Sequence, residues 1–165
     1  MEIKSQFDYC GKIYKAHWVE KDPTLDLDKN NVLRGVHAIC FYKNKIVVVY
    51  EKKKNCWTPP GGGIEQNETY QEAVIREVKE ESNMKVLHQE YIGYQDVTNL
   101  VGKTTRQVRS FCIVEPYGDF VSDPDGDITK IKLIDPKDYK KYFDWLEIGD
   151  RIMELAIELN NKYKK

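Results

Sequence analysis

A run of three glycines stands shortly before a predicted acidic helix, and this combination constrains the fold more than any other feature. Residues 61–63 are Gly-Gly-Gly and follow two prolines, which predicts a turn. Thr69 and Glu72 have the spacing of a capping box, so a helix is predicted to begin at residue 70. Asn83 is predicted at the end of this helix, because asparagine tolerates the left-handed conformation. The chain should therefore contain a turn followed by a short helix with well-defined ends.

The predicted helix carries Glu77, Glu80 and Glu81 on neighbouring positions within an arc of about 100°. Like charges at this spacing weaken a helix by a few tenths of a kcal/mol per pair, roughly, so bound divalent cations would account for the cluster. Glutamate oxygens are hard ligands that suit Mg²⁺ or Mn²⁺. The alternative is a solvent-exposed acidic face paired with Arg76 and Lys79. The glycine turn just upstream favours the metal site.

Composition indicates a globular protein with no general attraction for polyanions. The chain has 165 residues, of which 41% are hydrophobic and 32% charged, which predicts a single domain over residues 1–165. The net charge of -1 argues against a nucleic-acid partner and against binding to an anionic membrane. The amino terminus has no apolar leader and no stretch reaches membrane-spanning length, so a cytoplasmic location is expected. Cys40 and Cys112 lie in apolar runs and are predicted to be reduced core residues.

Strands are predicted on both sides of the acidic helix. Two β-branched runs at residues 36–42 and 46–50 predict a hairpin, whereas residues 11–20 predict an edge strand and residues 55–68 a long turn. Further strands are predicted at residues 86–94, 107–114 and 128–134, and a short helix at residues 136–143. An apolar stripe between residues 148 and 163 predicts a closing helix. This order predicts an α+β fold with a mixed sheet between helical layers.

The glycine turn and the acidic helix also resemble a known family signature. From Gly62 the chain reads glycine, five residues, Glu68, seven residues, and then Arg-Glu-Val-Lys-Glu-Glu-Ser-Asn-Met over residues 76–84. This pattern resembles the signature of the Nudix hydrolase family, with Asn83 in place of the final glycine. The preceding Trp-Thr-Pro-Pro-Gly at residues 57–61 is similar to the family's usual lead-in. The resemblance implies the family's α/β/α sandwich.

The resemblance also implies roles for the matching residues. Glu77, Glu80 and Glu81 would bind the divalent metal, together with the backbone carbonyl of Gly61 or Gly62. Glu77 and Glu81 would be the primary pair. The metal would activate a water for attack on phosphorus, and Glu77, Glu80 or an acid outside the cluster would accept the proton. Arg76 and Glu68 would form an ion pair that fixes the loop against the helix.

Asp127 is the candidate for the acid outside the cluster. It lies in the acid-rich segment Asp-Pro-Asp-Gly-Asp at residues 123–127, which also has the composition of an ordinary turn. Glu115, at the end of a predicted strand, is the rival candidate.

Lys52, Arg106 and Arg109 are the candidates for holding the phosphates of a substrate, although each could be an ordinary exposed side chain. Aromatic side chains could stack on a base or belong to the core. The candidates are Trp57, Tyr91 and Phe111.

The resemblance implies a Mg²⁺-dependent pyrophosphohydrolase acting on a small nucleotide, with Mn²⁺ able to substitute. The favoured substrate is a nucleoside or deoxynucleoside triphosphate that yields the monophosphate and pyrophosphate. A nucleotide sugar such as ADP-ribose and a dinucleoside polyphosphate are the alternatives. Members that act on ADP-ribose often carry a proline downstream of the signature, where this chain has Asn99, Leu100 and Val101. A non-catalytic nucleotide-sensing module is the rival class, and a homodimer stays open.

Overall fold

The protein is described by a computed structural model that covers residues 1–29, 32–121 and 123–164. Six strands precede the first helix and three follow it, and these nine strands form one sheet with a helix packed on each face. In chain order the elements are β1 (Glu2–Tyr9), β2 (Lys12–Val19), β3 (Val32–Tyr42), β4 (Lys45–Glu51), β5 (Cys56–Thr58), β6 (Gly61–Gly63), α1 (Tyr70–Ser82), β7 (Met84–Thr98), β8 (Thr104–Pro116), β9 (Ile128–Ile134), a 3₁₀ helix (Pro136–Lys141) and α2 (Leu146–Tyr163).

The sheet is mixed, as predicted. Its strand order is β1-β2-β7-β8-β3-β4-β5, with β6 paired to β3 and β9 paired to β4. β3 and β8 run parallel, and the neighbouring pairs β7–β8 and β3–β4 run antiparallel. The predicted hairpin at residues 36–50 is confirmed as β3–β4, and the short helix after residue 135 is a 3₁₀ helix.

Two predictions about the strands are wrong. The segment predicted as an edge strand is β2, which lies inside the sheet because β1 pairs with it along eight residues and forms the edge. The segment predicted as one long turn contains β5 and β6, because residues 56–58 pair with β4 and residues 61–63 pair with β3.

The sheet separates two apolar clusters, which confirms the predicted layers. Alternate residues of a strand point to opposite faces, so β3 supplies both clusters. On one face Ala38 and Cys40 pack with Val74 and Val78 of α1. On the other face lies the larger cluster around α2, which includes Ile39, Phe41, Trp145, Ile148 and Ile152.

The acidic helix has the predicted ends. Thr69 Oγ1 accepts a hydrogen bond from the Glu72 N–H at 3.2 Å, and the Glu72 carboxylate accepts one from the Thr69 N–H at 2.8 Å. Asn83 adopts φ 52°, and its N–H donates to the Lys79 carbonyl at 2.9 Å. The capping box and the left-handed asparagine therefore fix the length of α1, and with it the positions of its carboxylates.

Candidate active site

The glycines of β6 bring bare backbone into contact with both β3 and α1. Residues 61–63 pair with residues 35–37 of β3. A Cβ atom added to Gly61 would lie 2.1 Å from the Val36 carbonyl oxygen. One added to Gly62 would lie 2.4 Å from Glu77 Oε1. Side chains are excluded from both positions, so the backbone of β6 lies directly beside the acidic side of α1.

The first and last glycines of β6 direct backbone polar groups toward α1. The residues on either side of the triplet, 60 and 64, form backbone hydrogen bonds with β3. Alternate residues of a paired strand direct their polar groups away from the partner strand. Consistent with this, the Gly61 N–H donates to Glu81 Oε2 at 2.9 Å, and the Gly63 carbonyl accepts from Arg76 Nη2 at 2.9 Å. Of the two predicted carbonyl ligands, Gly61 is therefore the one whose carbonyl faces away from β3.

Arg76 connects the loop to the carboxylates of α1. Its Nε and Nη2 donate to the two oxygens of Glu68 at 2.8 and 2.9 Å, so the predicted ion pair is confirmed. Its Nη1 donates to Glu77 Oε1 at 2.7 Å and to Glu80 Oε2 at 3.4 Å. These bonds raise the pKa of the guanidinium, chiefly through Glu68. Arg76 thus fixes the loop and also restrains two of the predicted metal ligands.

A cavity of about 560 Å³ lies between α1, β6 and the loop before β9. Eight carboxylates and two cations line it, so its charge is strongly negative although the whole chain is nearly neutral. The cations are Lys54 and Arg76, and the carboxylates are Glu51, Glu65, Glu77, Glu80, Glu81, Asp123, Asp125 and Asp127.

Burial and crowding change the acidity of the carboxylates in this cavity. Burial is the main cause that raises the pKa of Glu81 to about 8; its bond from the Gly61 N–H opposes this rise, and the negative charges of Glu77, Asp123 and Glu51 add to it. Burial also raises the pKa of Glu77, and Arg76 only partly opposes this effect. Carboxylates held this way bind a cation favourably, because the cation replaces the lost solvation and cancels the repulsion.

The residues of the cavity fit a divalent metal by their donor chemistry. Among the described residues, no three His, Cys, Asp or Glu side chains are already arranged as a metal site. Arg76 instead bonds Glu77 and Glu80, while Glu81 bonds the Gly61 N–H. The excess of carboxylate oxygens, the bare backbone of β6 and the raised pKa of Glu81 all favour a hard cation here.

The structure separates the two candidate acids outside the cluster. Asp127 lines the acidic cavity, and its carboxylate pairs with Lys53 Nζ at 2.8 Å. Glu115 lies at the end of β8, where it pairs with Lys85 at 3.7 Å and is exposed. Asp123 also lines the cavity and is 8% exposed, and its Oδ2 accepts from the Ile128 N–H at 3.3 Å. The sequence interpretation overlooked Asp123, because its segment was read as a turn with one functional acid.

The predicted phosphate-binding cations are not brought to the acidic cavity. Arg106 is 2% exposed and forms two hydrogen bonds with Asp96, at 2.8 and 3.0 Å. Its Nη1 also donates to the carbonyl oxygens of Pro23 and Leu25. These bonds hold residues 23–25 against β8, so the structure gives Arg106 a scaffolding position.

Arg109 and Lys52 also lie outside the lining of the acidic cavity. Arg109 is completely buried in the larger apolar cluster, beside the rings of Phe7 and Trp145. Lys52 is exposed, and its backbone N–H donates to the Asp127 carbonyl at 2.9 Å.

Lys54 lines the cavity where a phosphate-binding cation was expected. Its Nζ pairs with Glu51 Oε1 at 2.7 Å and donates to the Tyr9 hydroxyl at 3.3 Å. Lys54 was not among the cations that the sequence suggested, although its neighbour Lys52 was. A sequence signal was available for Glu51, the partner of Lys54. Glu51 follows Val49 by two residues on β4, so the two side chains point to the same face of the sheet.

A second cavity of about 370 Å³ adjoins the first. Tyr9, His37, Gly62 and Gly63 line both cavities, so the two are direct neighbours. Aromatic side chains of the first two strands form one wall, namely Phe7, Tyr9 and Tyr14. A planar ring bound here would lie next to the glycines and the acidic cavity.

The predicted stacking residues do not line this second cavity. Phe111 is completely buried in the core, Tyr91 is 43% exposed, and Trp57 packs against Tyr50 and Tyr142. The aromatic residues that do line it come from β1 and β2. Phe7 and Tyr9 were missed because β1 was not predicted as a strand, whereas Tyr14 lies in a segment that was predicted as a strand but given no role.

A disulfide connects the β1–β2 turn to β5. Cys10 and Cys56 are bonded, with their Cα atoms 5.6 Å apart. The bond holds the hairpin that carries Tyr9 against the strand next to β4. The sequence interpretation did not predict this pair, whereas its prediction that Cys40 and Cys112 are free and buried is confirmed. None of the described helices has both the length and the hydropathy of a membrane span.

Comparisons with known proteins agree on one family. The family model described as NUDIX domain matches residues 32–155. An ADP-ribose pyrophosphatase from Methanocaldococcus jannaschii is 46% identical over 94 residues, which cover 49% of this chain and 56% of that protein. Nudix hydrolase 5 from Arabidopsis thaliana is 25% identical over 148 residues, covering 83% of this chain and 49% of its own length. The chain spans only about a quarter to just over half the length of its curated relatives.

Solved structures show the same fold. The pyrophosphohydrolase BsRppH from Bacillus subtilis matches with a TM-score of 0.71 at 20% identity, and the match covers 96% of each chain. A MutT Nudix hydrolase from Burkholderia pseudomallei matches with a TM-score of 0.60 at 17% identity, over 76% of this chain and 96% of that one. The family model covers three quarters of the sequence, including β6, α1 and the acidic cavity between them. This protein belongs to the Nudix family.

Proposed function

We propose that this chain is a divalent-metal-dependent pyrophosphohydrolase that cleaves a phosphate anhydride bond in a nucleoside diphosphate derivative. The proposal rests on one observation: several carboxylates lie together beside backbone that carries no side chains. Glu77 and Glu81 meet Glu51 and Asp123 in one cavity, beside glycines that admit no side chain. Membership of the Nudix family supports hydrolysis as the reaction.

Mg²⁺ is the proposed cofactor, with Mn²⁺ able to substitute. Glu77, Glu80 and Glu81 would hold it, together with the Gly61 carbonyl. When bound, the metal would neutralise phosphate oxygens and lower the pKa of a coordinated water. Arg76 restrains Glu77 and Glu80, so these ligands are partly positioned before the metal binds.

The proton of the attacking water needs an acceptor. Glu77 and Glu80 are the proposed acceptors within the cluster, and Asp127 is the proposed acceptor outside it. Asp127→Asn should lower kcat more than Glu115→Gln does, because Asp127 lines the acidic cavity and Glu115 pairs with Lys85 at the surface. Steady-state kinetics at saturating Mg²⁺ would measure both variants. The reverse order would exclude Asp127 from this role.

The proposed substrate is a nucleoside or deoxynucleoside triphosphate that yields the monophosphate and pyrophosphate. The second cavity, at about 370 Å³, lies in the size range of small-ligand sites and could hold one nucleoside beside the acidic cavity. ADP-ribose is the second candidate, because the Methanocaldococcus jannaschii relative is named an ADP-ribose pyrophosphatase. A panel of triphosphates, nucleotide sugars and dinucleoside polyphosphates, assayed with Mg²⁺ and Mn²⁺, would separate these substrates.

Glu81→Gln tests the reaction class itself. Loss of a charged ligand should lower kcat on the order of 100-fold. The free energy of unfolding should be maintained, because the buried Glu81 carboxyl already favours its neutral form and a glutamine oxygen can still accept from the Gly61 N–H. Glu115→Gln is the matched control for the change of carboxyl to amide. Near-normal turnover by Glu81→Gln at saturating Mg²⁺ would refute the proposed metal role.

A further inference from the structure

A buried arginine on β8 has no carboxylate partner among the described residues. Arg109 is completely buried, and its Cζ lies 5.4 and 4.9 Å from the ring centroids of Phe7 and Trp145. Its Nη1 donates to the Val108 carbonyl at 3.1 Å, and its Nη2 donates to Gln107 Oε1 at 2.9 Å. Burial lowers its pKa to about 9, so it is still charged at neutral pH. The hydrogen bond from Nη2 therefore holds the side-chain amide of Gln107 in one orientation.

The orientation of the Gln107 amide follows from the chemistry of its partner. A guanidinium has only donors, so the amide oxygen of Gln107 must face Arg109 and its NH₂ group must point elsewhere. Gln95 is the cross-strand neighbour of Gln107. Neither side-chain amide atom of Gln95 is hydrogen-bonded, so Gln95 does not accept a hydrogen bond from the Gln107 NH₂ group. Gln107 lines the second cavity, to which its NH₂ group is therefore available.

Three other polar side chains of the second cavity, those of Arg34, Asn99 and Lys103, also offer donors. Asn99 Oδ1 accepts hydrogen bonds from the backbone N–H groups of Val101 and Lys103 at 3.1 and 2.9 Å. The NH₂ group is therefore the part of the Asn99 side chain that can interact with a ligand, as a donor. Lys103 and Arg34 are cations and can only donate. No carboxylate lines this cavity among the described residues, in contrast to the acidic cavity beside it.

We infer that the second cavity binds the base of the nucleotide and, among purines, prefers those that carry an oxo group at C6. Gln107 determines this preference by donating to the oxo oxygen, and Arg109 is a positioning residue that fixes the Gln107 amide. The aromatic wall of Phe7, Tyr9 and Tyr14 supplies the flat surface for the ring. The inference rests on the proposed function only in taking the ligand to be a nucleotide.

The preference follows from donor and acceptor pairing. Guanine and hypoxanthine present an oxygen at the position where adenine presents an amino group. An amino group facing the Gln107 NH₂ group would bury two donors without an acceptor. Such a mismatch lowers affinity by about tenfold or more.

The direct test compares binding of IMP, GMP and AMP to the full chain by calorimetry in Mg²⁺ buffer. Monophosphates contain no anhydride bond, so the result is independent of hydrolysis. IMP and AMP share the sugar and the phosphate and differ at the position of the oxo or amino group. IMP and GMP should each bind about tenfold more tightly than AMP. Equal affinities, or tighter binding of AMP, would overturn the inference.

Gln107→Glu tests the residue assignment. One carboxylate oxygen can keep the bond from Arg109, which preserves the contact, while the other becomes an acceptor facing the cavity. The ratio of IMP to AMP affinity should fall below one, and the added charge cancels in this ratio because both ligands carry the same phosphate. A ratio unchanged from the unsubstituted protein would exclude Gln107.

Arg109→Met tests the positioning role. Without the guanidinium the Gln107 amide can rotate, so the affinity ratio should fall to about one while AMP binding is retained. A tenfold preference for IMP that survives this substitution would refute the role of Arg109.

Inorganic pyrophosphate is the probe for the last experiment. If Gln107→Glu weakened its binding as strongly as that of IMP, the cavity would hold phosphate and the base assignment would fail.

Discussion

Adding one methyl group to Gly62 should disable the site without unfolding the protein. The Cβ atom of Gly62→Ala would lie 2.4 Å from Glu77 Oε1 and 2.6 Å from Glu77 Cδ. Nonbonded contacts with carbon require about 3.5 Å, so the Glu77 carboxylate must move by about 1 Å. A displacement of about 1 Å at a catalytic group can lower the rate by about 100-fold, or about 2.7 kcal/mol. We expect kcat/KM to fall by that factor.

The stability of Gly62→Ala should change little. Gly62 does not have a positive φ, and the atoms in the way belong to the end of a flexible side chain. The free energy of unfolding should therefore stay within about 1 kcal/mol of the unsubstituted value. In Gly61→Ala, by contrast, the added Cβ would lie 2.1 Å from the Val36 carbonyl and 2.7 Å from the His37 Cα. That variant must separate β6 from β3 and should be strongly destabilised.

Gly63→Ala is the matched control for this experiment. Its added Cβ has the Arg34 carbonyl oxygen, at 3.9 Å, as its nearest neighbour, so the change is tolerated. Release of the nucleoside monophosphate in Mg²⁺ and urea denaturation should be measured for all three variants. Activity of Gly62→Ala within threefold of that of Gly63→Ala would refute the steric argument. So would a loss of activity in Gly62→Ala that simply followed a loss of stability.

Two further predictions concern stability. Reduction of the Cys10–Cys56 bond, or Cys10→Ser, should lower the free energy of unfolding by about 4 kcal/mol, because the bond closes a loop with a sequence separation of 46. Equal urea midpoints with and without a dithiol reductant would contradict this prediction. Burial lowers the pKa of His37 well below 6.5, so the unfolded chain takes up a proton that the folded protein excludes. The contribution of neutral His37 to the free energy of unfolding is therefore complete above pH 6.5 and falls by up to about 1.4 kcal/mol for each pH unit below it. Unfolding at pH 7 and pH 5 should show a smaller difference for His37→Gln than for the unsubstituted protein, and identical differences would exclude His37.

The acidic helix was predictable because its determinants are local. The capping box of Thr69 and Glu72 acts over three residues, and the spacing of Glu77 and Glu81 follows from the helical turn. The predicted pair of Arg76 and Glu68 spans eight residues and is present. Such short-range contacts form whenever the local conformation forms, so a pattern in the sequence is enough to locate them.

The partners of the arginines on β8 could not be predicted in this way. Arg106 bonds the Leu25 carbonyl across 81 residues of sequence, and Arg109 is enclosed by Phe7 and Trp145. Both arginines looked like phosphate ligands in the sequence because an arginine side chain does not itself indicate burial. Whether it meets a carboxylate, a ring or water depends on which strands lie beside it.

The sequence by itself determined the sheet-and-helix class of this protein, the ends of α1 and the residues that carry its negative charge. These features depend on hydrophobic periodicity, on capping and on backbone preferences, each of which acts within a few residues. Only the tertiary structure decided that Glu51 and Asp123 join Glu77 and Glu81, that Cys10 bonds Cys56, and that β1 supplies an aromatic wall. Those contacts join distant segments, and their geometry is set by strand order and register, which are properties of the folded chain as a whole.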